Sequence, residues 1–266
     1  MEMKLISFDI KAALGFLKKP DINEGIYLTY NCLHKPALLG IIGAIIGLGG
    51  YYQSYIMKKY IPDYFERLKN LKVGVKPLDS FNGNFTKTVV KYNNSAGYAS
   101  EEQGGNLIVN EQTLIKPSFR VYLLLNISNE YEMKVFEYLS NGECEYIPYF
   151  GKNDFQLWWE KETLIEYDFT EGIPPQVSYF IDNLFIKPDG KTIHENKGRE
   201  DMVFDFREPE INDFFVFFEH LPVGFDERTT NYSFANFVYT NKKLSKSFIP
   251  QNLYYLKNEN KYVQLN

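Results

Sequence analysis

The 266-residue chain is 44% hydrophobic and 24% charged, with a net charge of −5. That balance suits one large globular domain or two small ones with room for a core, and it excludes a disordered chain. Aromatic residues reach 17%, as 21 Tyr and 22 Phe against 2 Trp, so much of the apolar surface comes as rings that stack as well as pack.

The cysteines, Cys32 and Cys144, stand far apart, and the histidines, His34, His194 and His220, show no metal-ligand spacing. No metal site and no cofactor are expected, and a reducing cytoplasm is the expected location. Residues 1–76 carry +5 and the remainder −10. Such a split points to one face that meets an anion, with solvent or basic protein partners elsewhere.

Taken in chain order, "MEMKLISFDIKAALGF" sets Glu2 and Asp9 among few apolar residues, so no signal peptide is expected. Leu5, Phe8 and Ile10 mark a first strand, followed by "KKPD", Lys18 to Asp21, and a polar loop. "IYLTYN" reads as a short extended piece. Pro36 then opens a helix, at the position where its missing N–H is no loss.

Gly40, Gly43 and Gly47 recur on one stripe of that helix, flanked by Leu38, Leu39, Ile41, Ile42, Ile45 and Ile46. A stripe without side chains costs about 1 kcal/mol per glycine relative to alanine, so close backbone approach must offset it. GAIIG is the pairing motif of membrane helices, but Gly49 and Gly50 end the apolar run after about twelve residues, short of a span. The expectation is no membrane span and a buried helix pressed against a sheet, with Lys35 at its entry and Gly49-Gly50 at its exit. The glycines match neither phosphate-loop pattern.

An amphipathic helix is expected near Pro62 to Leu71, and Asn82 to Leu114 reads as a projecting hairpin with a mobile tip. Phe119 to Ile127 is the clearest strand. A helix follows from Ser128 as N-cap to Leu139, with Gly142 past its end. Strand, helix, strand, helix is the rhythm of a ferredoxin-like fold, an α+β class. Beyond Gly151 the chain turns acidic and β-rich, with strands expected at Leu164–Phe169, Met202–Phe206, Phe214–Phe218 and Phe234–Tyr239, and "LYYLKNENKYVQLN" closing a sheet. The domain division is 1–150, with the hairpin inserted at about 82–114, and 151–266.

Tyr30, His34 and Lys35 are the candidate catalytic set for metal-independent RNA cleavage, which needs a group titrating near neutrality and a cation for the phosphate. Binding needs less. Lys18, Lys19 and Lys35 lie near element junctions, where cations and free helix N–H groups attract anions. Tyr27, Tyr30, Tyr51 and Tyr52 flank them as stacking platforms for single-stranded bases.

Five stretches, "FLKKPDIN", "LTYNCLHKPALLGIIGAIIGLGGYY", "EQTLIKPSFRVYLL", "YIPYFGKNDF" and "TTNYSFANFVYT", together resemble the CRISPR-associated Cas-five family, in its type I-B branch. The resemblance implies a repeat-associated (RAMP) ferredoxin-like fold of the RNA-recognition type, with the 82–114 hairpin as a thumb and a β-rich C-terminal region. It implies a noncatalytic subunit of the Cascade complex in antiviral defence, with the 5′ tag of the CRISPR RNA (crRNA), the backbone subunit and the large subunit as partners. Such a subunit caps the foot of the backbone filament and meets target DNA indirectly, through the complex. The RNA-binding residues expected on this basis are Lys18, Lys19, Tyr30, Asn31, His34, Lys35, Gly49, Gly50, Tyr51, Arg120 and Lys152, with Lys35 foremost. The alternative is an endoribonuclease that processes precursor crRNA with Tyr30, His34 and Lys35.

Overall fold

The computed structural model describes residues 2–21, 24–93, 97, 101, 103, 107–172, 178–187, 204, 213–245 and 248–266. Its elements are β1 (Met3–Ala12), β2 (Leu14–Gly15), α1 (Lys35–Ile46), α2 (Tyr51–Ile56), α3 (Asp63–Leu68), β3 (Lys72–Leu78), β4 (Lys87–Asn93), β5 (Ile108–Ile115), β6 (Ser118–Asn126) and α4 (Glu130–Asn141). There follow β7 (Leu157–Trp159), β8 (Ile165–Tyr167), β9 (Phe169–Glu171), β10 (Phe185–Ile186), β11 (Val216–Phe225), β12 (Tyr232–Thr240), β13 (Leu253–Leu256) and β14 (Lys261–Gln264).

The main sheet runs β3-β6-β1, with β7 and β8 both pairing along the free edge of β1, and every pairing is antiparallel. Alternation along the strands gives the sheet two apolar faces. Ile6, Phe8, Ile10, Phe119, Val121 and Leu123 point to the side that carries α1 and α4. Leu5, Tyr122 and Leu124 point to the other side, where Tyr254, Leu256, Val263 and Leu265 of the C-terminal hairpin cover them. β13 and β14 join β9 in a second sheet, so "LYYLKNENKYVQLN" does close a sheet.

A third sheet, β10-β12-β11, sends Leu221 and Phe237 into the core that α1 occupies. The strands completing the main sheet lie beyond residue 150, so residues from both parts of the chain share one core.

α1 starts where expected. His34 is its N-cap and Pro36 lies in its first turn. It ends earlier than Gly49-Gly50, at Gly47, whose left-handed φ of 83° closes the helix. The glycine stripe does not face the sheet. A Cβ on Gly43 would lie 2.5 Å from the Tyr64 Cβ, and one on Gly40 would meet the Tyr64 ring at 3.7 Å, so the stripe lets α3 come close. The branched residues Leu38, Leu39, Ile42, Ile45 and Ile46 fill the core instead, because large side chains bury more area there than bare backbone.

Residues 164–169 do not form one strand. β8 pairs with β1 and β9 with β13, so the chain changes sheets at Asp168. The α4 N-cap is Asn129, not Ser128, because the Asn129 Oδ1 reaches both Tyr131 N and Glu132 N. The expected helix near 62–71 is the shorter α3, and α2 before it was not expected. β4 and β5 pair antiparallel from Lys87↔Leu114 to Asn93↔Ile108, as the arms of the expected hairpin. Most of the expected tip, and all of Met202–Phe206 except Phe204, lie outside the described residues.

Candidate nucleic-acid interface

A groove of about 790 Å³ runs between α1, α2, the start of β12 and the loop after α4. Its base on α1 is Ala37, Gly40 and Ala44, residues small enough to leave the space open. Around that base stand six tyrosines, Tyr51, Tyr52, Tyr64, Tyr146, Tyr149 and Tyr232. Tyr52 is 74% exposed, Tyr51 58% and Tyr149 46%, so these rings have faces free to stack on a planar ligand.

The Tyr51 and Tyr64 rings meet edge to face at 6.4 Å. Burial raises the pKa of both, and that of Tyr232 to about 12. Their hydroxyls therefore keep their protons at neutral pH and can both donate and accept.

Lys18 and Lys152 supply the groove's cations. Lys18 is exposed, its Nζ lies 4.2 Å from the Tyr27 ring centroid, and among the described residues it has no carboxylate partner. Lys152 donates to Glu111 Oε2 at 2.8 Å, and Glu111, 3% exposed, also accepts from the Tyr92 hydroxyl at 2.7 Å.

The loop holding Lys152 is stitched to the start of the chain, with Phe16 N donating to Phe150 O at 3.0 Å. Next to it, Gly151 has φ 88°, and a Cβ there would fall 1.8 Å from Phe16 O. Only glycine fits that crossing, which gives "YIPYFGKNDF" a physical reason for its Phe-Gly-Lys.

His34 forms part of the groove wall while capping α1: Ala37 N donates to its Nδ1 at 3.3 Å. The residue is 5% exposed, and its ring meets Tyr30 at 5.1 Å and Tyr232 at 5.9 Å, both edge to face. Burial lowers its pKa to about 3, so the imidazole is neutral, with Nδ1 accepting and Nε2 carrying the hydrogen.

Of the expected residues, the groove thus gathers Lys18, His34, Gly50, Tyr51 and Lys152. The others have different surroundings. Lys35 Nζ donates to the Asn266 backbone oxygen at 2.9 Å, and burial lowers its pKa to about 8. Asn31 is buried and fully engaged: its Nδ2 donates to Gly83 O at 2.6 Å, and its Oδ1 accepts from Phe85 N at 3.1 Å and Lys87 Nζ at 2.8 Å. It ties the entry of α1 to the root of the hairpin.

Tyr30 is 3% exposed behind His34, with Lys19 Nζ 5.3 Å from its ring centroid. Gly49 accepts from Tyr64 N at 3.2 Å. Arg120 lies on the opposite face of the main sheet, in a two-pronged ion pair with Asp9 at 2.7 and 3.0 Å. The sequence reading missed Tyr64, Tyr146, Tyr149 and Tyr232. The last three sit in the quoted stretches "YIPYFGKNDF" and "TTNYSFANFVYT", where recurrent tyrosines beside turn residues were the available signal.

No protein-family model matches the chain, and no curated relative does. Among solved structures it is similar to a chain of the Type III-B Cmr-beta assembly bound to cognate target RNA and AMPPnP, with 11% identity, 99% of each chain covered and a TM-score of 0.50. It is also similar to a CRISPR protein from Archaeoglobus fulgidus, at 11% identity over 100% of this chain and 99% of that one, TM-score 0.47. A chain of a CRISPR RNA-guided surveillance complex aligns at 11% identity over 90% of each chain, TM-score 0.45. At such identity the likeness to the Cmr-beta chain is one of fold, extending over nearly the whole length of both.

No helix among the described residues is long and apolar enough to cross a membrane.

Proposed function

We propose that the chain is a noncatalytic, RNA-binding subunit of a CRISPR effector complex, one that holds the repeat-derived 5′ tag of the crRNA at the foot of the backbone filament. The observation that carries this reading is the groove, where six tyrosines and two lysines surround a base of small residues. Rings with free faces and flanking cations are what single-stranded RNA requires, since every base has a face to stack and every linkage a charge to neutralise. The fold shared with a chain of an RNA-bound Cmr-beta assembly supports it.

The finer reading is a ferredoxin-like, Cas-five-type subunit of a type I-B complex, with β4 and β5 as the thumb. Its support is the order β7/β8-β1-β6-β3, with the helix-bearing crossover between β1 and β3 and a second helix, α4, between β6 and β7. The noncatalytic reading draws support from His34. A buried imidazole with its pKa near 3 and Nδ1 engaged by the helix cap lacks the near-neutral titration that acid–base cleavage needs.

The test uses the purified chain and crRNA of its cognate array, with and without the 5′ tag. Tagged RNA is expected to bind roughly tenfold or more tightly. Equal affinity for the two refutes the tag-holding role, and cleavage of repeat RNA that His34→Ala abolishes replaces it with the endoribonuclease.

A further inference from the structure

The histidine at the groove wall has one ring nitrogen in use and one free. Nδ1 takes the Ala37 N–H, and among the described residues Nε2–H has no hydrogen-bond partner, while the residue as a whole is 5% exposed. Nε2 is not among the buried atoms that lack a partner, so it opens onto the groove, where a ligand acceptor can take the place of water. Edge contacts from Tyr30 and Tyr232 fix the ring plane, and the helix cap fixes the tautomer. The donor is therefore preset in both identity and direction.

We propose that His34 Nε2–H reads an acceptor atom, a carbonyl oxygen or ring nitrogen, on one unpaired nucleobase held against the groove's tyrosines, and so makes His34 a specificity-determining residue. This rests on the RNA-binding reading of the same groove. A base is favoured over a phosphate because the neutral imidazole brings no charge to reward an anion, whereas Lys18 at the same groove does. Hydrogen-bonding edges differ between bases while their stacking faces do not, so selectivity must come from such a fixed donor rather than from the rings.

The experiment measures fluorescence anisotropy of the full chain with labelled eight-nucleotide RNA homopolymers of A, C, G and U. The wild type is expected to prefer one homopolymer over at least one other by about fivefold or more. His34→Asn keeps a good capping oxygen but its amide is too short to present a donor where Nε2 lies. It is expected to weaken the favoured homopolymer about fivefold and level the four to within about twofold, with the salt dependence keeping its slope. His34→Gln, whose longer amide reaches toward that position, is expected to recover part of the preference.

A His34→Asn variant that retains the wild-type preference, or that weakens all four homopolymers alike, overturns the proposal. So does a wild type that binds all four equally, an outcome that leaves the RNA reading standing. A wild type that binds none of them overturns the RNA reading, and the proposal with it.

Discussion

The two faces of the main sheet spend their cations differently. On the face away from α1, three cations are matched to carboxylates: Arg120 to Asp9, Lys76 to Asp182 at 2.8 Å, and Lys72 to Glu171 at 3.6 Å. The Tyr122 and Tyr254 hydroxyls join these pairs, to Asp182 and Glu171, both at 3.0 Å. On the helix side, beside the groove, Lys18 and Lys19 lie over tyrosine rings with no ion pair among the described residues. Much of the charge split seen in the sequence is therefore spent inside the fold. Lys4 pairs with Glu166, Lys69 with Glu227, Lys72 with Glu171 and Lys76 with Asp182. What matters for an anionic ligand is which cations remain uncommitted, and at the groove that is Lys18, since Lys152 is held by Glu111.

The largest effect that tests this contrast comes from Arg120→Ala. It leaves Asp9, whose side chain is 13% exposed, without its two charge-assisted bonds. The expected loss is about 2–3 kcal/mol in denaturant unfolding, while RNA affinity of the remaining folded protein stays unchanged. Lost affinity with intact stability would move the binding surface to the far face. Next in size is Lys18→Ala, expected to weaken binding of single-stranded RNA roughly fivefold at low salt and to flatten the slope of log K against log salt by about 0.7. An unchanged slope removes Lys18 from the interface and erases the distinction between the two faces.

Local chemistry made much of the frame legible. Pro36 marked the start of α1 and Gly142 the end of α4, and the apolar run at Val121–Leu125 marked a strand in the sheet interior. Periodicity also showed that Gly40, Gly43 and Gly47 share a stripe, but what lies opposite a stripe is a tertiary fact. The partner proved to be Tyr64 for Gly40 and Gly43 and Glu145 for Gly47, rather than the sheet. The same limit hid the change of sheets at Asp168, since the residues on both sides of it look equally like strand. It also hid the direction of Lys35, whose charge reads identically whether Nζ meets RNA or, as here, the Asn266 carbonyl. The groove was only half legible because its tyrosines come from four separate segments.

The smallest predicted effect concerns the same histidine and its protons. His34 has a pKa lowered by burial from 6.5 to about 3 in the folded chain, so between those values the unfolded chain binds a proton that the folded chain refuses. Its neutral form adds no penalty above 6.5, and stability is lost as pH falls through that window toward 3. At about pH 6 the loss amounts to about 0.8 kcal/mol relative to about pH 8. Glu132 and Glu219, whose pKa values burial raises, work in the opposite direction on acidification. Because they are common to both proteins, the difference between wild type and His34→Asn isolates the histidine. Urea unfolding at the two pH values should show the wild type losing more stability than the variant. Parallel losses would mean that the ring accepts a proton in place, making it a cation at the groove wall and removing the contrast between a neutral donor and the lysines beside it.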